Sequence, residues 1–398
     1  MELLAKRITE LTESQTLAMA ARSRELAAKG VDVINLSLGE PDFPTPDHVK
    51  EAAKLAIDQN FSFYTPVAGY ADTRSAIVEK LKRDNGLVYH PDQIVTSTGA
   101  KQSIINVLLC LLNPGDEILV PTPYWVSYLS MIQLAEAKAV LMPTDVHSNF
   151  KITAAQLDAA ITPQTKAFIF SSPCNPTGTV YTGEELEALA EVFERNPHIT
   201  VISDEIYEYI NFNGKHQSIA TIGKMQERTV VVNGLSKGFA MTGWRFGYIA
   251  APLAIAQACV KLQGQFTSAT CSITQKAAIA ALTGDLGPSM AMTAAFKRRR
   301  SLVVDAMSKI DRLYCNQPEG AFYVFPDVSK FYGTSWGNYL IQNADDLATY
   351  LLMEAHVAVV TGEAFGDTNC IRISYATSDE KLMEAMRRIT LALDRLAT

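Results

Sequence analysis

Lys237 and Arg245 stand eight residues apart in the stretch Asn233-Gly-Leu-Ser-Lys-Gly-Phe-Ala-Met-Thr-Gly-Trp-Arg-Phe-Gly247. An apolar run over 229–232 precedes the lysine and reads as a buried strand. The lysine's neighbours Gly234, Leu235, Gly238 and Phe239 are small or apolar. Burial disfavours the ammonium form of a lysine, and a neutral amine is a nucleophile that forms a Schiff base with a carbonyl. Arg245 adds a permanent positive charge whose planar fork suits phosphate. The pair calls for a ligand bearing both an aldehyde and a phosphate. Taken alone, Ser236-Lys237-Gly238 is more commonly a surface turn.

Further candidates sit where other apolar runs end. Asp204 closes the run 199–203; it either caps a helix or faces a ring nitrogen, keeping it protonated and the ring an electron sink. Tyr207, three residues on, reaches toward the same place. Ser171-Ser-Pro-Cys-Asn-Pro-Thr-Gly178 fixes a turn with two prolines and a glycine and presents the Asn175 amide; a rigid loop without a ligand has the same composition. Ser97-Thr-Gly-Ala-Lys-Gln102 joins a strand to a helix, where amides near Gly99 and Ala100 suit an anion, though a plain strand-to-helix turn reads alike. Trp125 is suited to stacking on a flat ring or to ordinary packing. Arg372, inside the apolar strand 370–374, needs an anionic partner, either a protein carboxylate or a ligand's. Pyridoxal phosphate answers the aldehyde, phosphate and ring-nitrogen requirements together.

The elements that must position these residues alternate along the chain. Segments 93–97, 117–120, 139–142, 165–170, 200–203, 229–233 and 246–249 read as strands, with helices at 101–112, 124–135, 154–160 and 183–195 between several of them. That order predicts an α/β fold with an open, mostly parallel sheet. Ligands in such sheets bind beyond the carboxyl ends of the strands, where the candidates fall. A long helix over 288–310 leads into short strands at 313–315, 321–325, 358–360 and 370–374, with helices at 345–356 and 378–396. This reads as a smaller α+β domain, joined by an N-terminal helix at 15–29 and a strand at 33–36. The expected division is a large domain over 46–290 and a discontinuous small domain from 1–45 and 291–398.

The 398 residues exceed the usual size of one hydrophobic core. Hydrophobic residues make up 48% and charged residues 19%, as in folded soluble proteins. A net charge of −7 argues against a nucleic-acid surface. The one dense basic run, Lys297 to Arg300, falls in a helical pattern and reads as a solvated or interface-facing helix. The six cysteines form no CxxC pair, which predicts a reducing compartment without zinc or disulfides. With no signal-peptide core and no apolar run of spanning length, the expectation is a cytoplasmic protein that does not engage a membrane.

The ordered set Asn175, Asp204-x-x-Tyr207, Ser236-Lys237 and Arg245 resembles pyridoxal-phosphate-dependent aminotransferases of fold type I, class I/II. The likeness runs from Leu36-Ser-Leu-Gly-Glu-Pro-Asp-Phe-Pro-Thr-Pro46 to Arg372-Ile-Ser-Tyr-Ala-Thr377 and is greatest to the bacterial aspartate and aspartate/prephenate branch. It implies a large domain with a mixed, mostly parallel seven-stranded sheet. Lys237 would hold pyridoxal 5'-phosphate covalently and shuttle the substrate proton in a ping-pong reaction. Ser236, Arg245, Gly99 and Ala100 would hold the phosphate, Trp125 the ring face, Asp204 the ring nitrogen, and Asn175 and Tyr207 the ring's phenolate oxygen. Arg372, Asn175 and the Gly39 backbone would clamp the substrate α-carboxylate. Tyr64 would reach the cofactor of a partner subunit, making a homodimer with shared sites. Gly234 departs from the serine common in relatives, which puts one phosphate contact in doubt.

For the side-chain carboxylate, the segment 263–270 holds no arginine. Lys101 takes the position implied to bind it, and Thr16 adds a hydroxyl from the N-terminal helix. A surface lysine is the ordinary alternative, mildly opposed by the helix macrodipole. The expected reaction moves the amino group of aspartate or glutamate to a 2-oxoacid such as 2-oxoglutarate, a place in amino-acid metabolism. An aromatic or prephenate aminotransferase, a C–S lyase on the same scaffold and a non-catalytic regulator are the alternatives.

Overall fold

The computed structural model describes residues 3–11 and 15–396. Seven strands, Ile94–Ser97, Glu117–Pro121, Lys138–Met142, Thr165–Ser171, Thr200–Asp204, Thr229–Gly234 and Gly247–Ala250, form one sheet. Across the sheet they run first, seventh, sixth, fifth, fourth, second, third. Gly247–Ala250 alone runs antiparallel to its neighbours; the other pairings are parallel. Thr229–Gly234 is buried at every position, which is why it reads as an unbroken apolar run rather than an alternating one.

The two-residue period of each strand divides the core between the faces. Val95, Ile118, Val120, Ile169, Ile202, Val230 and Val232 pack under helices Ala100–Leu111, Ser127–Leu134 and Leu253–Phe266. The alternate positions Ile94, Val231 and Tyr248 meet helices Asp47–Asp58, Ala71–Lys80 and Ser272–Thr283 on the other face. Leu119, Phe168, Phe170 and Val201 meet Ala154–Ala160 and Gly183–Arg195 there. Parallel register sets Ser171 opposite Asp204 and Asp204 opposite Val232. The antiparallel strand brings Gly247 between Gly234 and Ser97. The chemistry-bearing ends therefore share one rim.

A second core joins Met19, Phe296, Val303, Tyr350, Leu351, Ile373, Leu382 and Ile389. Helices Gln15–Ala28, Gly287–Met307, Ala344–Glu354 and Asp379–Asp394 supply it. The strand expected at 358–360 is two pieces. Val357–Ala358 pairs parallel with Ile34–Asn35, and Val360–Thr361 joins Ile371–Ser374 and Tyr323–Val324. Residues 313–315 form no strand, only a bridge from Tyr314 to Asp327.

The arginine run is not simply solvated. Arg299 is buried and grips Asp42 with both terminal nitrogens, at 2.7 and 2.9 Å. Arg300 donates to the Pro318 carbonyl at 2.9 Å, and Arg298 alone stays exposed, on Asp379. Among the described residues no helix is long and apolar enough to cross a membrane.

Candidate active site

The strand rim opens into a cavity of about 300 Å³ against the second core. Lys237 follows the strand Thr229–Gly234, and its Nζ donates to the Gly39 carbonyl at 2.5 Å. The rings of Tyr207 and Phe322 lie 5.8 and 5.9 Å from that nitrogen. Burial, then the charge of Arg372, brings the amine down to about 8 from 10.5. A buried lysine beside a second cation is a group prepared to act as a nucleophile near neutral pH.

Arg245 returns to the same corner through a left-handed turn. Its own φ is +56° and that of Ala240 is +52°, conformations that side-chain-bearing residues adopt at a cost and that concentrate at functional sites. Its guanidinium lies so close to Gly99 that a β-carbon there would collide with it, and Gly99 has φ +88°. Nη1 of Arg245 donates to the Thr242 carbonyl at 2.8 Å. Ser236 and Ala100, the latter at the start of helix Ala100–Leu111, line the cavity beside it. Gly234 has a packing reason: a β-carbon would sit 2.6 Å from the Phe246 carbonyl oxygen, so a serine has no room.

Asp204 ends its strand with 5% of its surface exposed. Burial raises its carboxyl to about 6, against hydrogen bonds from Tyr128 and the Ile206 amide that lower it. Arg372 is 2% exposed. Its Nη1 donates to Asn175 Oδ1 at 3.0 Å and its Nη2 to the Ser37 carbonyl at 2.6 Å. Among the described residues its Nε has no partner and no carboxylate pairs with it. The guanidinium also rests 4.6 Å over the Tyr323 ring. A fully buried cation without an anion is costly, so the site lacks a negative group that a ligand can bring.

Asn175 thus spends its oxygen on Arg372, which leaves its amide hydrogens for the cavity. Tyr207 shares a hydroxyl contact of 2.8 Å with Tyr323. Trp125 precedes its helix, in the turn before Ser127, and stands in the cavity wall. Lys101 Nζ lies 5.1 Å over its ring, and that amine is lowered by burial and by Arg245. Thr16 also lines the cavity, its buried hydroxyl having no partner among the described residues. Tyr64 is not brought in: it is 98% exposed on the outer surface. Cys174 is buried behind the wall, 4.0 Å from the Pro123 carbonyl oxygen.

Sequence reasoning missed Tyr128, Tyr323 and Ser171. Tyr128 lies three residues after Trp125, a spacing that helical geometry makes adjacent; Tyr323 carries no local signal.

The donor set fits pyridoxal phosphate. A neutralisable amine, an anion corner with a glycine that has no space for a side chain, a buried carboxylate and the Trp125 face line one cavity. The chemistry of each matches an aldehyde, a phosphate, a ring nitrogen and a ring face.

Comparison with known proteins gives a consistent picture. The family described as aminotransferase class I and II matches residues 31–389. An aspartate/prephenate aminotransferase of Cereibacter sphaeroides is 47% identical over 98% of this chain and 98% of its own. A bifunctional aspartate aminotransferase and glutamate/aspartate-prephenate aminotransferase of Petunia hybrida is 47% identical over 98% of this chain and 82% of its own. The crystal structure of the aspartate aminotransferase from Rhizobium meliloti superposes with a TM-score of 0.96 at 43% identity, covering 99% of both chains.

Proposed function

The chain belongs to the class I and II aminotransferases, and from that premise we propose that it moves the amino group of aspartate or glutamate to a 2-oxoacid such as 2-oxoglutarate, with pyridoxal 5'-phosphate as its cofactor. The observation that carries the reading is the buried Arg372, held by Asn175 and Ser37 and without a carboxylate among the described residues. It is a preformed seat for the α-carboxylate that every amino and oxo acid carries.

When bound, the cofactor supplies an electron sink for the electrons left on the substrate α-carbon. Ser236, Arg245, Gly99 and Ala100 would hold its phosphate, Trp125 would cover its ring and Asp204 would meet its nitrogen. Asn175 and Tyr207 would donate to its phenolate oxygen. Lys237 would hold the cofactor through its aldehyde and, once released, would move a proton between the substrate α-carbon and the carbon that bore the aldehyde, in opposite directions in the two halves of a ping-pong cycle. Arg372 with Asn175 and the Gly39 backbone fixes the α-carboxylate, which directs the α-hydrogen toward the lysine. Lys101, with the Thr16 hydroxyl, receives the side-chain carboxylate. The relatives named for prephenate support that oxoacid as a further acceptor.

Two domains, 46–290 and 1–45 with 291–398, carry the two sides of this cleft. The exposed Tyr64 suits a contact with the site of a partner subunit in a homodimer. The free cysteines suit a cytoplasmic setting.

Titrating the cofactor-loaded protein separately with L-aspartate, L-glutamate, L-phenylalanine and L-alanine tests the reading. Loss of the visible band with the acidic pair, reversed by 2-oxoglutarate, is the expected result. Pyruvate and ammonia released from a cysteine conjugate, with no reversal, would replace the transaminase by a lyase.

A further inference from the structure

We infer that Tyr128 is a positioning residue for the ring-nitrogen site: its hydroxyl keeps the Asp204 carboxylate ionised and aimed at the cavity, while its ring backs Trp125. The inference rests on the proposed pyridoxal phosphate chemistry, but the contacts behind it belong to the protein alone. Tyr128 Oη donates to Asp204 Oδ2 at 2.7 Å. The tyrosine is 1% exposed and does not line the cavity, so it acts through other residues. Its ring meets Trp125 edge to face, with centroids 5.5 Å apart at 84°. Because it lies one turn beyond Trp125, at the start of helix Ser127–Leu134, a single side chain braces both the nitrogen partner and the ring cover.

The surroundings show why the hydroxyl matters. Asp204 loses its water on burial, and Glu205 beside it adds a second negative charge. Glu205 is itself held by His216 at 3.1 Å and by the Ser203 and Ser218 hydroxyls. Tyr207 and Cys174 also face Asp204, and Lys237 is the cation that opposes these effects. On the protein side, Oδ1 receives the Ile206 amide at 3.3 Å, a longer contact than the one from Tyr128. Hydrogen bonding to the charged form favours it. Without the tyrosine hydroxyl the carboxyl holds its proton more tightly, so a larger share of it is neutral near pH 7 and no longer matches a protonated ring nitrogen.

Tyr128→Phe keeps the ring against Trp125 and removes only the donor. In cofactor-free protein carrying carbon-13-labelled aspartate, with Asp204→Asn assigning the signal, Asp204 titrates near 6. In Tyr128→Phe the midpoint moves up by about one pH unit. Affinity for pyridoxal phosphate falls about twofold at neutral pH, as the ionised share of Asp204 falls, whereas an analogue with CH in place of the ring nitrogen binds parent and variant alike. An unmoved Asp204 midpoint, or an equal loss with the analogue, overturns the inference. Failure of the parent to take up pyridoxal phosphate would instead refute the cofactor reading, which the titration distinguishes.

Discussion

Asn175 and Arg372, 197 residues apart in sequence, meet through a single hydrogen bond of 3.0 Å from Nη1 to Oδ1. That bond fixes which way the asparagine amide points and holds the guanidinium plane where its Nε meets no acceptor among the described residues. Arg372→Lys should lower kcat/KM for every amino donor by about a hundredfold, mainly through KM, because an ammonium cannot reproduce the planar fork. Asn175→Ala should cost less, and the double variant less than the sum of the two. Steady-state kinetics on all three check this; a lysine variant with parental KM would remove Arg372 from the substrate clamp.

The amine of Lys237 gives a pH signature. Its folded value lies near 8 against 10.5 unperturbed, and the neutral form is the nucleophile. Capture of pyridoxal phosphate by cofactor-free protein should therefore accelerate between about pH 7 and 9 and level off above. The sign for stability follows: burying the charged amine destabilises the fold below about 8, and that penalty disappears as pH rises toward 10.5. Arg372 is among the causes of the depression, so Arg372→Ala should move the capture profile to higher pH. A profile that stays in place would mean the two charges do not interact.

Lys101 separates acidic from other donors. Its ammonium is destabilised by burial and by Arg245 and gains from an arriving carboxylate. Lys101→Ala should reduce kcat/KM for aspartate and glutamate by roughly thirtyfold or more, the loss of one charged hydrogen bond. Phenylalanine and alanine should change by about twofold at most. An equal fall for all four donors would make Lys101 a general structural residue.

Tyr64 offers its ring outward, so its effect should appear in the neighbouring subunit's site. Lys237→Ala and Tyr64→Ala chains, each nearly inactive alone, should regain activity when mixed and reassembled, since one site of the hybrid then carries both native residues. No recovery on mixing, with hybrids shown by tag capture, would confine Tyr64 to its own chain.

The large sheet was legible because its strands are buried on both faces and show as apolar runs. Lys237, Asp204 and Asn175 were legible because they sit where those runs stop. Helices Asp47–Asp58 and Ser272–Thr283 were not foreseen. Their contacts use Ala53, Ala56, Ala277, Ala278 and Ala281, small residues that leave a faint hydrophobic pattern. The two-residue strands around Val359 were merged because their separation depends on different partners, Ile34–Asn35 and Ile371–Ser374. Tyr323 stayed hidden since only the fold brings its hydroxyl to Tyr207 and its ring to Arg372. Arg299 looked like surface charge because its partners, Asp42 and Asp379, lie far away in sequence.

One buried ion pair lies outside the cavity and bears on stability. Lys80 is fully buried at the end of helix Ala71–Lys80 and pairs with Glu208. Asn85 bridges them, accepting from Lys80 at 2.8 Å and donating to Glu208 at 2.9 Å. The Tyr209 ring lies 5.2 Å from the ammonium, and its hydroxyl donates to Asp84 at 2.7 Å. Lys80→Met leaves the Glu208 carboxylate buried without its cation, which should cost about 3–5 kcal/mol in chemical denaturation. Glu208→Leu alone should cost a similar amount by stranding the ammonium. Combined, the two changes remove both charges, and most of the loss should be recovered, because apolar side chains of matching size replace a pair that had to be taken out of water. If the double variant were as unstable as the sum of the single ones, the two charges would be acting independently, and the pairing would not be what holds this helix end to the segment that carries Asp204 and Tyr207.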